Sequence, residues 1–393
     1  MKKKNLGVIY TLDSKDLEIL FALQENPIAN VSTIAKRVNM SVSGTAIRLN
    51  KIANIEKAYK CVHTDLNIKA LDLELHDFFY NINSRKSLEK IEKIICDDHP
   101  YTLYRSRCFG KFSGLYVQYR TPVNGLPYLI DLAEKLKDKG VVIDYDYIKR
   151  NTLETSVTLK SAIKFWNPQR NTWQFDWNSW REGFDAISLA SIAKSNNVKS
   201  IISNFDELDI KLLDEIILDA RQKNVDIIKK LNLEKEPGIA QKISRKINFL
   251  KEFAVDNYRI FLNYEVFNLY QSIIIRGYCS KTIARKFRNY LLLGSGHTKK
   301  VIDYSPKTKL LSFPFQSVYY ISENGFFWFV KAPPAHLSEL VDFIWSICPK
   351  HDIFWTSYRY SMIYNLWDQA FDFKNKRWIM NDDFMVNNII SKL

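Results

Sequence analysis

The sequence predicts an α+β fold built from two tandem copies of one plan: a winged-helix-like helix-turn-helix followed by a ferredoxin-like β-α-β-β-α-β unit. The two copies are expected to pack as a pseudo-dimer within one chain. Three observations predict this. The chain repeats itself: Leu12-Asp13-Ser14-Lys15-Asp16-Leu17 recurs as Leu208-Asp209-Ile210-Lys211-Leu212-Leu213, and Ala70 to Glu74 lines up with Val266 to Tyr270, both at an offset of 196. Gly114 to Pro122 matches Gly325 to Pro333 at an offset of 211, which places an insertion in the second copy between Gly294 and Thr308. Units this long are not solenoid repeats, so two similar halves are the simplest reading. The second observation is helical spacing of apolar residues at the start of each half. The third is the change to alternating strands and helices after it.

Each element follows from the residues in order. Leu12, Leu17, Ile19, Leu20 and Leu23 make a first helical stripe, stopped by Asn26-Pro27. Val31, Ile34, Ala35 and Val38 make a second. After a tight Asn39-Met40-Ser41 turn, a third helix turns Thr45, Leu49 and Ile52 to the core. The second copy repeats this with Leu208 to Ala220, then Val225, Ile228 and Leu231, then Pro237 to Leu250, where Pro237 suits a first helical position. Strand, helix, two strands, helix and strand are expected over Leu73–Ile82, Ser87–Ile95, Tyr101–Cys108, Leu115–Arg120, Pro127–Lys137 and Val141–Ile148. The same order is expected over Tyr270–Ile275, Ser280–Leu292, Val318–Ile321, Phe326–Val330, His336–Ile347 and Ile353–Tyr360. Each copy ends in an aromatic hairpin, Trp166 to Trp173 and Phe371 to Trp378, whose rings are expected to pack on a neighbouring face. The expected domains are 1–63, 64–185, a linker over 186–205, then 206–258 and 259–393.

Composition narrows the function classes. The 393 residues carry a net charge of +14, divided as +8 up to Phe205 and +6 after it, so both halves suit an anionic partner such as nucleic acid. The five cysteines form no CxxC pair, which points to a reducing cytoplasm and to neither a disulfide framework nor a zinc site. The lysines after Met1 are followed too soon by Asp13, Lys15 and Asp16 for a secretory signal, and the aromatic run Phe326–Val330 is too short to span a bilayer. A soluble cytoplasmic protein without a membrane partner is expected.

With both units in place, the chain resembles the Lrp/AsnC (feast/famine) family of prokaryotic transcription regulators. The resemblance rests on Leu12-Asp13 through Leu23, Ser41 through Ile52, Asn67 to Glu74 entering the first sheet strand, Gly110-Lys111-Phe112-Ser113 before a strand, and Gly140-Val141 before the last one. It implies dimerisation through the sheet domain, here supplied inside one polypeptide, with two helix-turn-helices set to reach successive major grooves. It also implies a small-molecule effector site near a Gly-x-x-Asp turn. That turn corresponds to Gly110 and Ser113 in copy one and Asn324 in copy two, so the usual aspartate is missing from both.

The leading expectation is therefore a sequence-specific regulator that binds double-stranded DNA, with room for an effector and for further self-association. In copy one the third helix offers Ser41, Ser43, Ile47, Arg48 and Lys51; in copy two it offers Gln241, Lys242, Arg245 and Lys246, with Glu234 and Glu236 at its start. Copy one is expected to read DNA strictly and copy two loosely. Two competing classes remain. One is a scaffold that contacts protein alone. The other is an enzyme, since siroheme decarboxylases resemble tandem Lrp/AsnC proteins. They are expected to carry Tyr-Glu-Arg-x-His before an Asn-x-Trp-Phe-Val strand; copy two has Phe327-Trp328-Phe329-Val330, and neither copy has the histidine motif. None of the six histidines pairs with another at ligand spacing, and P-loop, GxSxG and HExxH motifs are missing. On that basis no catalytic residue, metal or cofactor is expected, and the chain is expected not to be an enzyme.

Overall fold

A computed structural model describes residues 12–151, 154, 156–187, 198–294 and 311–393. The basic N-terminal run, half of the 186–205 linker, His297 and the expected insertion up to Thr308 lie outside these residues. Copy one begins with α1 (Ser14–Glu25), α2 (Val31–Arg37) and α3 (Val42–Asn50), the last widening into one π-helical turn over Lys51–Ile55. An extended strand β1 (Tyr59–Leu66) leads into β2 (Leu73–Asn81), α4 (Arg85–Ile91), β3 (Thr102–Gly110), β4 (Gly114–Pro122), α5 (Leu126–Asp138) and β5 (Asp144–Ile148). After β6 (Val157–Leu159) come the hairpin β7 (Trp166–Asn167) and β8 (Thr172–Trp173), and α6 (Trp177–Asp185). Copy two runs α7 (Glu207–Leu218), α8 (Asn224–Lys230), α9 (Ile239–Phe253), β9 (Val255–Leu262), β10 (Gln271–Tyr278), α10 (Lys281–Gly294), β11 (Ser317–Ser322), β12 (Gly325–Ala332), α11 (Leu337–Ile347) and β13 (His351–Ser357). It closes with β14 (Met362–Ile363) and the hairpin β15 (Phe371–Asp372) and β16 (Arg377–Trp378). The duplicated α+β plan expected from the sequence is therefore present.

The repeat changes register along the chain. Asp13 and Asp16 form a reciprocal capping box at the start of α1, and Asp206 and Asp209 form the same box on α7, an offset of 193 (206 − 13) rather than 196. A Leu-Asp pair inside α7 had imitated the one before α1. The turns Asn39 and Asn232, both with positive φ, keep the 193 offset, whereas Asp72 and Asn268 carry 196. The extra chain enters before α9, where Pro237 precedes a left-handed Gly238 at the N-cap. Pro237 is thus outside the helix.

The strands β1 and β9 were not anticipated, and they decide how the halves combine. They pair with each other in antiparallel fashion, Tyr59 opposite Leu262 and Leu66 opposite Val255. The ribbon is closed reciprocally by Asn263 N–H donating to the Ala58 carbonyl and Asn67 N–H donating to the Ala254 carbonyl, at 2.9 and 2.8 Å. The domain boundaries expected after residues 63 and 258 fall inside these two strands.

Because each linker strand crosses to the other, each helix-turn-helix packs on the sheet unit of the opposite copy. One core joins Ile19, Leu23, Ile34 and Ile52 of copy one to Ile273, Phe287, Trp328 and Phe343 of copy two. A second joins Ile210, Leu213, Ile243 and Leu250 to Phe78, Leu115, Leu129 and Leu136. Each large side chain fully buried in this way contributes roughly 1.5–3 kcal/mol. The aromatic hairpins form as expected and also cross over: Trp173 Nε1 donates to the Phe267 carbonyl and Trp378 Nε1 to the Leu71 carbonyl, each at 2.7 Å. Residues 1–185 alone would leave β1 unpaired and the Trp173 hairpin undocked. Sedimentation of that half is expected to give a self-associated species; a stable monomer would contradict the crossed packing.

The sheet strands run β5-β2-β4-β3-β13-β10-β12-β11-β6, two four-stranded units joined where Cys108–Gly110 meets Phe354–Thr356, with β14 also against β3. Gly110 has φ +140, and a Cβ there would collide with the Ile353 carbonyl oxygen. A third cluster lies between the two sheets, with Phe79, Tyr116 and Ile148 against Ile274, Tyr320, Phe327 and Phe354. At its centre the buried Asp77 carboxylate accepts from Tyr116, Tyr320, Gln118 and Arg150.

Candidate nucleic-acid interface

Helix α3 is set by Ser41, whose hydroxyl caps it by accepting from Gly44 N–H at 3.1 Å. Thr45, Leu49 and Ile52 turn inward as the spacing predicted. In α9 the inward residues are Ile243, Ile247 and Leu250, which superpose on that stripe at an offset of 198 (247 − 49). In this register Ser43 corresponds to Gln241, Ile47 to Arg245 and Arg48 to Lys246.

The structure separates the expected DNA-contacting residues into two groups. Arg48 does not stand free. Its Nη1 lies 2.7 Å from carboxylate oxygens of both Asp13 and Asp16, and Lys51 Nζ lies 3.1 Å from Asp16. Lys246 repeats the arrangement, 2.9 Å from Asp206 and 2.8 Å from Asp209. Asp16 is fully buried, so this cation-carboxylate clamp ties the third helix to the first in each copy. Hydrogen bonds to Asp13 and Asp16 hold the Arg48 pKa above its ordinary value. The reading that turned Arg48 and Lys51 toward solvent is corrected: their spacing takes them off the α3 stripe, but the capping acids of α1 reach them.

The second group is exposed. In copy one it comprises Ser41, Ser43 and Ile47, the last 70% exposed, a face with no charge. In copy two it comprises Gln241, Lys242, Arg245 and the neighbouring Asn248. Among the described residues, no carboxylate lies within ion-pair distance of Lys242 or Arg245. Gly238 leaves the α9 N-terminus without a side-chain cap, and the Ile239 N–H donates instead to the Glu236 carbonyl at 3.3 Å. Copy two thus presents Lys242 and Arg245 without a carboxylate partner, and copy one an uncharged hydroxyl and aliphatic face. The clamp acids Asp13, Asp16, Asp206 and Asp209 escaped sequence reading, although the Asp-x-x-Asp capping pattern opening both first helices was the signal.

Gly110, Ser113 and Asn324 are the residues expected at an effector site. Gly110 serves the junction between the sheets, Ser113 is exposed with its N–H bonded to Asn81, and Asn324 is exposed in the two-residue β11–β12 turn. None of the three lines the cavity bounded by Glu265, Tyr270, Gln271 and Tyr358. Of the described histidines, burial pushes His63 down to about 4 and His99 to about 3, so both are neutral packing residues at pH 7. His336 accepts from Trp177 Nε1 and braces the first aromatic appendage. Among the described residues, no helix is long and apolar enough to cross a membrane.

Residues 12–51 match the model of the winged helix-turn-helix DNA-binding family. The first unit is therefore similar to a known DNA-binding domain. No curated relative matches the chain. Among solved structures, the siroheme decarboxylase NirDL is similar over 96% of this chain and 99% of its own, with 12% identity and a TM-score of 0.52. The same protein with an iron-uroporphyrin III analogue gives 11% identity, 87% and 91% coverage and a TM-score of 0.46. The regulator NMB0573 from Neisseria meningitidis, solved with L-Met, covers 37% of this chain and 94% of its own, with 22% identity and a TM-score of 0.30. The end-to-end likeness to NirDL shows that the duplicated two-domain fold is one that an enzyme also uses. The expectation that the chain is not an enzyme is thereby overturned. Missing motifs had excluded only the active sites they describe.

Proposed function

We propose that the chain is a sequence-specific, duplex-DNA-binding transcription regulator that acts as an intrachain pseudo-dimer. The observation that carries this reading is the pair of exposed third helices fixed on one β1–β9 ribbon, with Lys242 and Arg245 of α9 free of internal carboxylates. Two unlike reading faces on one two-fold frame imply an asymmetric operator. Lys242 and Arg245 engage phosphates or guanine edges in one half-site, while Ser43 and Ile47 meet the other mainly by shape and methyl contact. Fluorescence anisotropy with random-sequence duplexes should show affinity falling steeply with salt, and selection from a random pool should return two unequal half-sites. Salt-independent binding, or a clean inverted repeat, would sink this reading.

A second reading is favoured by the near-complete mutual coverage with NirDL, namely chemistry on a carboxylate-bearing tetrapyrrole. Anaerobic incubation with siroheme, followed by mass spectrometry for loss of carbon dioxide, tests it directly.

A further inference from the structure

Copy two carries a pair of thiols where copy one carries two aliphatic side chains. Tyr278 lies opposite Gly325 as Asn81 lies opposite Gly114, which sets β10 on β2 at an offset of 197 (278 − 81). Tyr278 N–H donates to the Lys350 carbonyl at 2.9 Å where Asn81 pairs with Asp144, an offset of 206 (350 − 144). Cys279 therefore stands in the place of Ile82, and Cys348 in that of Val142, both of which are buried in the second core. Aliphatic side chains fill these places in copy one, so packing alone does not call for sulfur in copy two.

The two cysteines meet where β10 runs into α10 and α11 runs into β13. The Lys350 carbonyl that accepts from Tyr278 N–H also accepts from the Cys348 thiol at 3.2 Å, which brings that sulfur beside the residue preceding Cys279. The Cys279 thiol in turn donates to the Cys348 sulfur, and this hydrogen bond holds Cys348 below the ordinary thiol range. Cys348 is buried, while Cys279 is half-buried and packs against the same core. We propose that Cys279 and Cys348 form a redox pair that closes to a disulfide within the native fold on meeting a low-molecular-weight disulfide.

Cys279, the more exposed of the two, gives its proton to water, and its sulfur attacks one sulfur of the oxidant. The S–S bond of the oxidant breaks, and one thiolate leaves and takes up a proton. Cys348 then loses its proton and attacks Cys279 Sγ: the protein S–S bond forms, the mixed disulfide breaks, and the second thiol departs. Two protein thiols are oxidised, and one external disulfide is reduced to two thiols. The ring closed between Cys279 and Cys348 contains α10, β12 and α11, which supply Phe287, Trp328 and Phe343 to the core shared with the copy-one helix-turn-helix. A cross-link over this stretch restricts the unfolded chain and should stabilise that half of the molecule. This holds whether or not the chain binds DNA.

The probe is oxidised glutathione, added to the full chain without denaturant, followed by an acid quench, alkylation of the remaining thiols and peptide mass mapping. One cross-linked species joining Cys279 to Cys348 should appear, and dithiothreitol should return both to free thiols. The oxidised chain should unfold at a higher urea concentration than the reduced chain. Cys61→Ser should form the same bond, and Cys279→Ser should leave Cys348 without an intrachain partner. Absence of the bond after oxidation, a glutathione adduct on Cys279 that never resolves onto Cys348, or a bond from either cysteine to Cys61, Cys96 or Cys108 would overturn the proposal on the wild-type chain alone. A Cys279–Cys348 bond that leaves the urea midpoint unchanged or lowers it would overturn it equally, since the native fold would then not accommodate the closed pair.

Discussion

Replacing Lys242 and Arg245 together by alanine should weaken binding to duplex DNA by about 10- to 100-fold at moderate salt and flatten the dependence of log K on log salt by roughly two. Both side chains lie on the exposed face of α9, and neither has an internal carboxylate to lose, so folding stability should change little. Arg48→Ala should behave in the opposite way. It strips one of two cations from the fully buried Asp16, leaves Lys51 as the remaining partner, and should cost about 1–3 kcal/mol of stability. Its DNA affinity per folded molecule should remain close to wild type. Urea denaturation and anisotropy titration of the same preparations separate the two effects. If Arg48→Ala abolishes DNA binding in a stable protein while the α9 double variant binds normally, the assignment of α9 as the charged reading helix is wrong.

The largest stability loss is expected at Asp77. Its carboxylate is fully buried between the sheets and accepts from Tyr116 Oη and Tyr320 Oη at 2.6 Å, Gln118 Nε2 at 2.9 Å, and Arg150 at 2.6 and 3.0 Å. Burial alone would raise its pKa; the Arg150 guanidinium and the hydroxyl donors outweigh burial and hold it below the usual carboxylate range. Because the folded pKa lies below the unfolded one, this contribution is present above the unfolded carboxylate pKa. It is lost as pH falls through the folded value. Asp77→Ala leaves Arg150, itself largely buried, without its partner and should cost about 3–5 kcal/mol at pH 7. Asp77→Asn, which keeps the packing and some donors, should cost less. Chemical denaturation at pH 7 and pH 3 should show the gap between wild type and Asp77→Asn narrowing in acid. A gap that stays constant across this range would mean that the charge contributes nothing to joining the sheets.

The parts legible in the sequence were those governed by nearest neighbours along the chain. Helical spacing placed α1 to α3 and α7 to α9 within a few residues, since an apolar stripe of period 3.6 needs only one face to bury. Strand and helix order in both sheet units was equally local, and so were the aromatic hairpins, which depend on a short turn between bulky ends. Tertiary structure alone decided the rest. Strands β1 and β9 have no local pattern that separates them from linkers; each becomes a strand because the other supplies its hydrogen bonds from nearly 200 residues away. The crossing of each helix-turn-helix onto the opposite sheet follows from that pairing. The same distance explains the charges. Periodicity told which side of α3 Arg48 and Lys51 occupy, but not that Asp13 and Asp16 reach across to neutralise them. Nor could it show that Lys331 would be buried with Ser272 Oγ as its hydrogen-bond acceptor. An electrostatic partner is set by proximity in space. The sequence determined which elements form and in what order; which charges remain free to meet a ligand was decided only when the two halves folded onto each other.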